Sequence, residues 1–197
     1  MKPIYLEMNY FGPHENSVVD FRLLDESPIF LISGDTGAGK STIFDAMTYA
    51  LFGTTTGDRD AKEMRSQFAT ADDRTSVTFY FEQGNLLYRI ERSPEQKLSK
   101  KRGSGSTLQK STAKLAIVDR VKGIEKNNIA INPKNVGEEI TRLLHLNAEQ
   151  FKKIILLPQN DFSRFLKSST PDKEAILKRI FGTYIFTSFS NEIKAKN

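Results

Sequence analysis

Three glycines, a lysine and a serine fall within one eight-residue stretch, Gly34-Asp35-Thr36-Gly37-Ala38-Gly39-Lys40-Ser41. The spacing G-x-x-x-x-G-K-[ST] suits a chain that must curl around a polyphosphate. Glycines allow the tight curl that turns several backbone N–H groups toward one point. Lys40 supplies a point charge for the outer phosphates, and the Ser41 hydroxyl can ligate Mg²⁺. Thr42 adds one more N–H at the positive end of the helix that follows. The chemistry implied is capture of a nucleoside triphosphate by Gly34 to Thr42.

Cleavage would need more. An ATPase of this kind holds Mg²⁺ through a carboxylate at a strand end and orients a water. Leu115-Ala116-Ile117-Val118-Asp119 imitates the first requirement, but Arg120 follows where a second acid would be expected, and Asp119 is read as strand-end punctuation. Gln159 follows an apolar run and a proline, so its amide can point into a cleft and offer Mg²⁺ a hard oxygen or hold a water. Zero cysteines exclude disulfides and thiolate metal sites.

The flanks say what must hold these groups. Pro28 to Ile32 is a short apolar run that predicts a buried strand. From Ser41 to Phe52, the spacing of Ile43, Met47 and Leu51 predicts one face of a helix, and Gly53 to Asp58 a break. Before the loop, Ile4, Leu6 and Met8 alternate with polar neighbours as a half-buried strand does. Phe11 to His14 reads as a turn and Val18 to Phe21 as renewed strand. After it, Ala61 to Phe68 has helical potential, and Val77 to Phe81 and Leu86 to Glu91 form a hairpin closed by Gln83-Gly84-Asn85. Asn135 and Glu138, then Asn147 and Gln150, have capping-box spacing. Thr170, Pro171 and Gly182 bound a further helix. Ile185, Phe189 and Ile193 begin a stripe still running at Asn197, so the end looks cut.

Hydrophobic residues make up 38% of 197, and mean hydropathy is −0.44, the balance of a soluble domain with a sizeable core. No apolar run approaches the ~20 residues of a membrane span, and Met1-Lys2-Pro3 opens no secretory signal; a cytoplasmic protein is expected. Charge is uneven. Between Gln96 and Val118 there is no acid, and the six cations there exceed the whole chain's net +5. This basic stretch, with Gly103-Ser104-Gly105-Ser106 at its centre, is expected at the tip of a long hairpin bounded by Arg89 to Arg92 and Leu115 to Val118. It is either a DNA-phosphate contact through Lys97, Lys100, Lys101, Arg102 and Lys110, or a solvated loop.

Gly34 to Gly53, reading GDTGAGKSTIFDAMTYALFG, resembles the opening of the SbcC subunits of bacterial SbcCD nucleases, relatives of the structural-maintenance-of-chromosomes (SMC) proteins. Phe151 to Phe165, reading FKKIILLPQNDFSRF, is similar to that family's Q-loop region. Arg92 to Gln96 and Lys100 to Gly103 resemble its Gram-positive members, which implies that the Gly-Ser-Gly-Ser is natural and not a cloning linker. The similarity runs in family order over essentially the whole chain. One departure stands at Gly12-Pro13, where many relatives carry an arginine.

The resemblance implies an α/β fold: the N-terminal half of an ABC-type P-loop NTPase head, with an N-terminal antiparallel sheet, a long basic hairpin and a helical part that ends at the root of a coiled coil. Strands and phosphate loop would occupy residues 1–57, the hairpin region 75–120, helices and Q-loop 135–182, and the coiled-coil start 183–197. It implies ATP and Mg²⁺ as cofactors, with Lys40 and Gln159 as the catalytic residues and Ser41 and Gln159 as magnesium ligands. Walker B acids, signature motif and switch histidine would lie on an absent C-terminal half-head, and this fragment alone would be inactive. The implied partners are that half-head, a second head in an ATP-bound homodimer, an SbcD-type nuclease and double-stranded DNA at the nucleoid. A P-loop small-molecule phosphotransferase is the alternative.

Overall fold

The computed structural model describes residues 1–25, 29–57, 60–100 and 104–155, with the side chains of 153–155 left aside. It divides into two compact units, residues 1–145 and 146–197. The first carries a six-stranded sheet with helices packed on it. Its strands are β1 (Lys2–Phe11), β2 (His14–Asp20), β3 (Ser76–Gln83), β4 (Leu86–Ser93), β7 (Thr112–Val118) and β8 (Glu125–Ile131), while β5 (Gln96–Ser99) and β6 (Ser106–Gln109) form a separate two-stranded sheet. The large sheet runs β2-β1-β3-β4-β7-β8, and every neighbouring pair is antiparallel.

Alternation builds the core. Leu6 lies opposite Phe79, Phe79 opposite Ile90, and Ile90 opposite Leu115, so one apolar row crosses four strands with every side chain fully buried. Helix α1 (Thr42–Phe52) packs on β1, β3 and β4, and α2 (Pro133–Leu144) packs on β7, β8 and α1. The opposite face carries a smaller cluster of Ile4, Tyr5, Tyr80 and Val118. A register shift between Pro3 and Tyr5 accounts for two successive residues, Ile4 and Tyr5, joining that cluster.

Several expectations need correction. No strand forms at Ile29–Ile32; Ile29 and Leu31 are 85% and 88% exposed. A strand exists only where a neighbour takes its N–H and C=O groups, and no described strand lies beside this run. The burial of α1 is wider than the Ile43–Met47–Leu51 face, taking in Ala46, Thr48, Tyr49 and Ala50 while Ile43 is half-exposed. Ala61–Met64 is a single 3₁₀ turn capped by Asp60, and Phe21–Leu24 is another. Helix α2 starts before Asn135: Asn132 is the cap, its side chain accepting from Asn135 N–H, with Pro133 at the first position. Strand β8, with an Asn-rich exposed face, has no counterpart among the expected elements.

The β3–β4 hairpin forms with Gly84 at positive φ. In the second unit, α3 (Ala148–Ile155) opens with the expected reciprocal box: Asn147 N–H donates to Gln150 Oε1 at 3.0 Å, and Gln150 N–H to Asn147 Oδ1 at 2.9 Å. Gln159, the Thr170–Gly182 helix and the Ile185–Ile193 stripe lie outside the described residues.

Phe11 ends β1 fully buried, with its ring stacked on Tyr49 of α1 at 5.5 Å. Truncating it opens a cavity between sheet and helix. Phe11→Ala should lower unfolding free energy by about 3–5 kcal/mol in denaturant titration; a loss under about 1 kcal/mol would mean this contact does not hold the helix down.

Candidate functional site

The glycine loop ends where α1 begins, and its backbone adopts what the sequence requires. Gly34, Gly37 and Gly39 have φ of 155°, 89° and 85°, values that side chains beyond glycine rarely tolerate. Ala38 N–H donates to Asp35 C=O at 3.2 Å inside the curl. Lys40 Nζ donates to the carbonyls of Gly34 and Asp35 at 2.7 and 2.6 Å, which ties the ammonium across the mouth of the loop. Ser41 is exposed and caps no helical N–H with its side chain, while its carbonyl takes the N–H groups of Phe44 and Asp45. Its hydroxyl is therefore placed at the loop and not spent on the helix.

The loop rests against the turn between β1 and β2. A Cβ built on Gly39 would stand 2.5 Å from His14 Nε2 and 2.6 Å from Pro13 Cγ, and one on Gly12 would stand 2.7 Å from Thr42 Cγ2. These neighbours are side-chain atoms packed directly on the glycine backbone, so a methyl group at either position would force them to move as well as strain φ. At Gly37 the added Cβ would meet nothing within 4 Å; that side of the loop is open. A cradle with one packed wall and one open wall, lined by backbone amides and headed by a helix N-terminus, fits an oxygen-rich anion such as a triphosphate.

The far end of α1 is fixed by a residue that sequence reasoning missed. Arg92 lies in the row Met8–Val77–Arg92–Ala113, the helix-facing side of the sheet, and is only 4% exposed. Its Nε and Nη2 donate to the carbonyls of Ala50 and Leu51 at 2.9 and 3.2 Å. Those carbonyls are among the last in the helix and have no partner within it. Burial pulls the guanidinium down to about 10, still far above neutrality, so a full cation faces the negative helix end. Gly53 closes the helix in the left-handed region, and a Cβ there would stand 2.9 Å from Arg92 Nη1. Asp45 also pins the following break, accepting from Thr56 N–H at 2.9 Å and from its hydroxyl. Nothing in the spacing of Arg92 singles it out; its signal was a cation at an inward position of a strand.

The basic residues stand elsewhere. Lys97, Lys100 and Lys110 are exposed on or beside β5 and β6, and Lys101 and Arg102 lie outside the described residues. The base of this arm is a buried polar knot. Gln96 Oε1 accepts from Arg65 Nη1 at 2.6 Å and from Thr75 N–H at 2.8 Å, and Gln96 Nε2 donates to Thr75 C=O and Ser93 Oγ. Asp119 sits at a turn after β7, its N–H donating to Ile124 C=O, remote in sequence from any metal partner. Among the described residues no group of three or more His, Cys, Asp or Glu side chains could hold a metal, and no helix is long and apolar enough to cross a membrane.

The sequence is similar to that of known proteins. Residues 5–196 match the family model described as AAA domain. The chain is 36% identical over 195 residues to the SbcC component of the SbcCD nuclease of Vibrio cholerae, with 98% of this chain and 19% of that protein aligned. It is 39% identical over 204 residues to the same-named protein of Staphylococcus aureus strain MRSA252, with 100% of this chain and 19% of that protein aligned. The chain thus spans about a fifth of the length of these relatives.

The two loop glycines make a discriminating pair. Gly37→Ala adds strain alone, about 1–2 kcal/mol. Gly39→Ala adds the same strain and a clash, so it should weaken nucleotide binding further, by at least another ~3-fold. Titration with a fluorescent triphosphate checks the order; equal losses would show that the packed wall is irrelevant.

Proposed function

The chain belongs to the AAA domain family, and from that premise we propose that it is the ATP-binding part of an SMC-like DNA-repair ATPase that gates a partner nuclease. The observation that carries this reading is the curl of Gly34 to Ser41, with its amides, Lys40 and the Ser41 hydroxyl gathered at the head of a helix clamped at its other end. Backbone amides from Gly34 to Thr42 hold the phosphates. Lys40, whose ammonium rests on the Gly34 and Asp35 carbonyls, would serve the outer phosphate oxygens, and the Ser41 hydroxyl would serve Mg²⁺. When bound, ATP would supply the triphosphate and Mg²⁺ the positive charge that offsets it, with the Ser41 hydroxyl as a metal ligand. Gln159, expected from the sequence as a second ligand, lies outside the described residues.

Other parts of the full polypeptide complete the centre. The exposed apolar run Ile29–Leu31 beside the loop and the relatives' greater length support a half-head covered by a C-terminal half. By the same reading two heads meet on ATP, an SbcD-type nuclease docks on them, and the protein acts in the cytoplasm at the nucleoid. Lys97, Lys100, Lys101, Arg102 and Lys110 would meet the phosphates of double-stranded DNA ends or hairpins. A small-molecule phosphotransferase is not favoured: the relatives are named as parts of a nuclease, and the basic stretch that would have to serve as a lid pairs as strands.

Full-length protein should hydrolyse ATP, and Lys40→Ala should reduce turnover by at least ~100-fold. The isolated 1–197 fragment should bind ATP weakly and turn it over negligibly. Turnover of several per second by that fragment, abolished in Lys40→Ala, would disprove the missing half.

For DNA, each lost phosphate contact should flatten the dependence of log affinity on log salt by about 0.9. Replacing Lys100, Lys101 and Arg102 with serine should therefore reduce the slope by up to ~3; an unchanged slope would assign the arm to solvent.

A further inference from the structure

We propose that His14 is a positioning residue for the nucleotide, acting by fixing the peptide between Gly39 and Lys40; this rests on the ATP reading of the loop. His14 Nε2 lies 3.2 Å from the carbonyl oxygen of Gly39, and Nδ1 lies 2.9 Å from Ser17 Oγ. A carbonyl only accepts, so Nε2 donates to Gly39, while Nδ1 meets the Ser17 hydroxyl, a group that can either give or take a proton. The Gly39 carbonyl thereby fixes Nε2 as the donor, and the Ser17 contact holds the ring plane.

The consequence follows from the peptide group itself. No peptide bond in the described chain is cis, and in a trans peptide the C=O and N–H point in opposite directions across one plane. Holding the Gly39 oxygen toward the β1–β2 turn turns the Lys40 N–H the other way, away from that turn. Gly39 has φ of 85° and no Cβ, so left to itself this peptide has more orientations open to it than one flanked by residues with side chains. A hydrogen bond to its oxygen removes that freedom before the ligand arrives, which lowers the ordering cost of binding.

The turn that carries His14 is itself held. Phe11 and His14 pair across β1 and β2. Gly12 N–H donates to Met64 C=O at 2.7 Å, and Gly12 packs on Thr42, the first residue of α1. His14 is half-buried between this turn and Gly39. The backbone that carries the imidazole is therefore pinned on both sides, and the ring itself is held by its contacts to Gly39 and Ser17.

The test uses the full-length polypeptide and equilibrium titration with a fluorescent ATP analogue and Mg²⁺. His14→Ala should weaken binding about five-fold, the worth of one hydrogen bond of about 1 kcal/mol. His14→Gln places a donor amide near the Nε2 position and should stay within ~2-fold of wild type. His14→Asn reaches only the Nδ1 position and should behave as the alanine variant. Thermal midpoints without nucleotide should move by less than ~2 °C. The proposal is overturned if His14→Ala binds as wild type does, or if all three variants lose affinity alike with lowered midpoints. Tight wild-type binding lost in Lys40→Ala but kept in His14→Ala overturns this inference alone. A wild type no better than Lys40→Ala overturns the ATP reading and this inference with it.

Discussion

Helix α1 carries the glycine loop at its head, and the buried guanidinium of Arg92 is the interaction that keeps that helix from sliding on the sheet. Its two bonds fall on carbonyls that every helix leaves orphaned at its C-terminal end. The charge is costly to bury, as its lowered pKa records, and it has helix carbonyls for hydrogen-bond partners. The geometry offsets part of that cost, because the negative end of the α1 dipole is the partner. Moving α1 along its axis by one residue, about 1.5 Å, would break both bonds inside an apolar row of Met8, Val77 and Ala113. An unpaired buried cation is far more expensive than the bonds themselves are worth, so the clamp acts as a stop.

The other end of α1 is set by sterics instead of charge. Gly12 against Thr42 and Gly39 against Pro13 and His14 leave no room for a methyl group, and the Phe11–Tyr49 stack holds the same strand end to the same helix. Burial pushes the Tyr49 hydroxyl above its ordinary range, with the Arg92 charge opposing the shift, so Tyr49 stays neutral and serves as packing. One antiparallel sheet thus positions both ends of the helix: β4 through Arg92, and the β1–β2 turn through contact. The phosphate loop inherits its placement from these two constraints.

How much of this could be read beforehand depends on whether the cause was local. The loop, the β3–β4 hairpin and the Asn147–Gln150 box declare themselves because glycine at positive φ and side-chain caps are decided within four residues. The Asn132 cap was missed in favour of Asn135, since both asparagines fit an N-cap and only Pro133 at the first helical position breaks the tie. Strand β8 escaped because an edge strand with one exposed face needs little apolar patterning. Ile29–Leu31 erred the other way: the run has the composition of a buried strand, but burial is conferred by neighbours that the described chain does not supply. Arg92 and His14 act through partners 42 and 25 residues away, and no pattern in one sequence encodes a distance of that kind.

The loop is consequently held unevenly, and the unevenness bears on how it works. Its rear, at Gly39, is pressed against a pinned turn and continues into a clamped helix. Its front, at Gly34 and Asp35, is joined among the described residues by bonds from within the loop itself, those of Lys40 Nζ and Ala38 N–H. A ligand that draws the Lys40 ammonium toward its own oxygens removes two of those bonds. The front of the cradle then depends on the ligand and on whatever covers Ile29–Leu31, while the rear does not move. Such a division concentrates any effect of a bound anion at one edge of the site, the edge beside the exposed apolar run Ile29–Leu31.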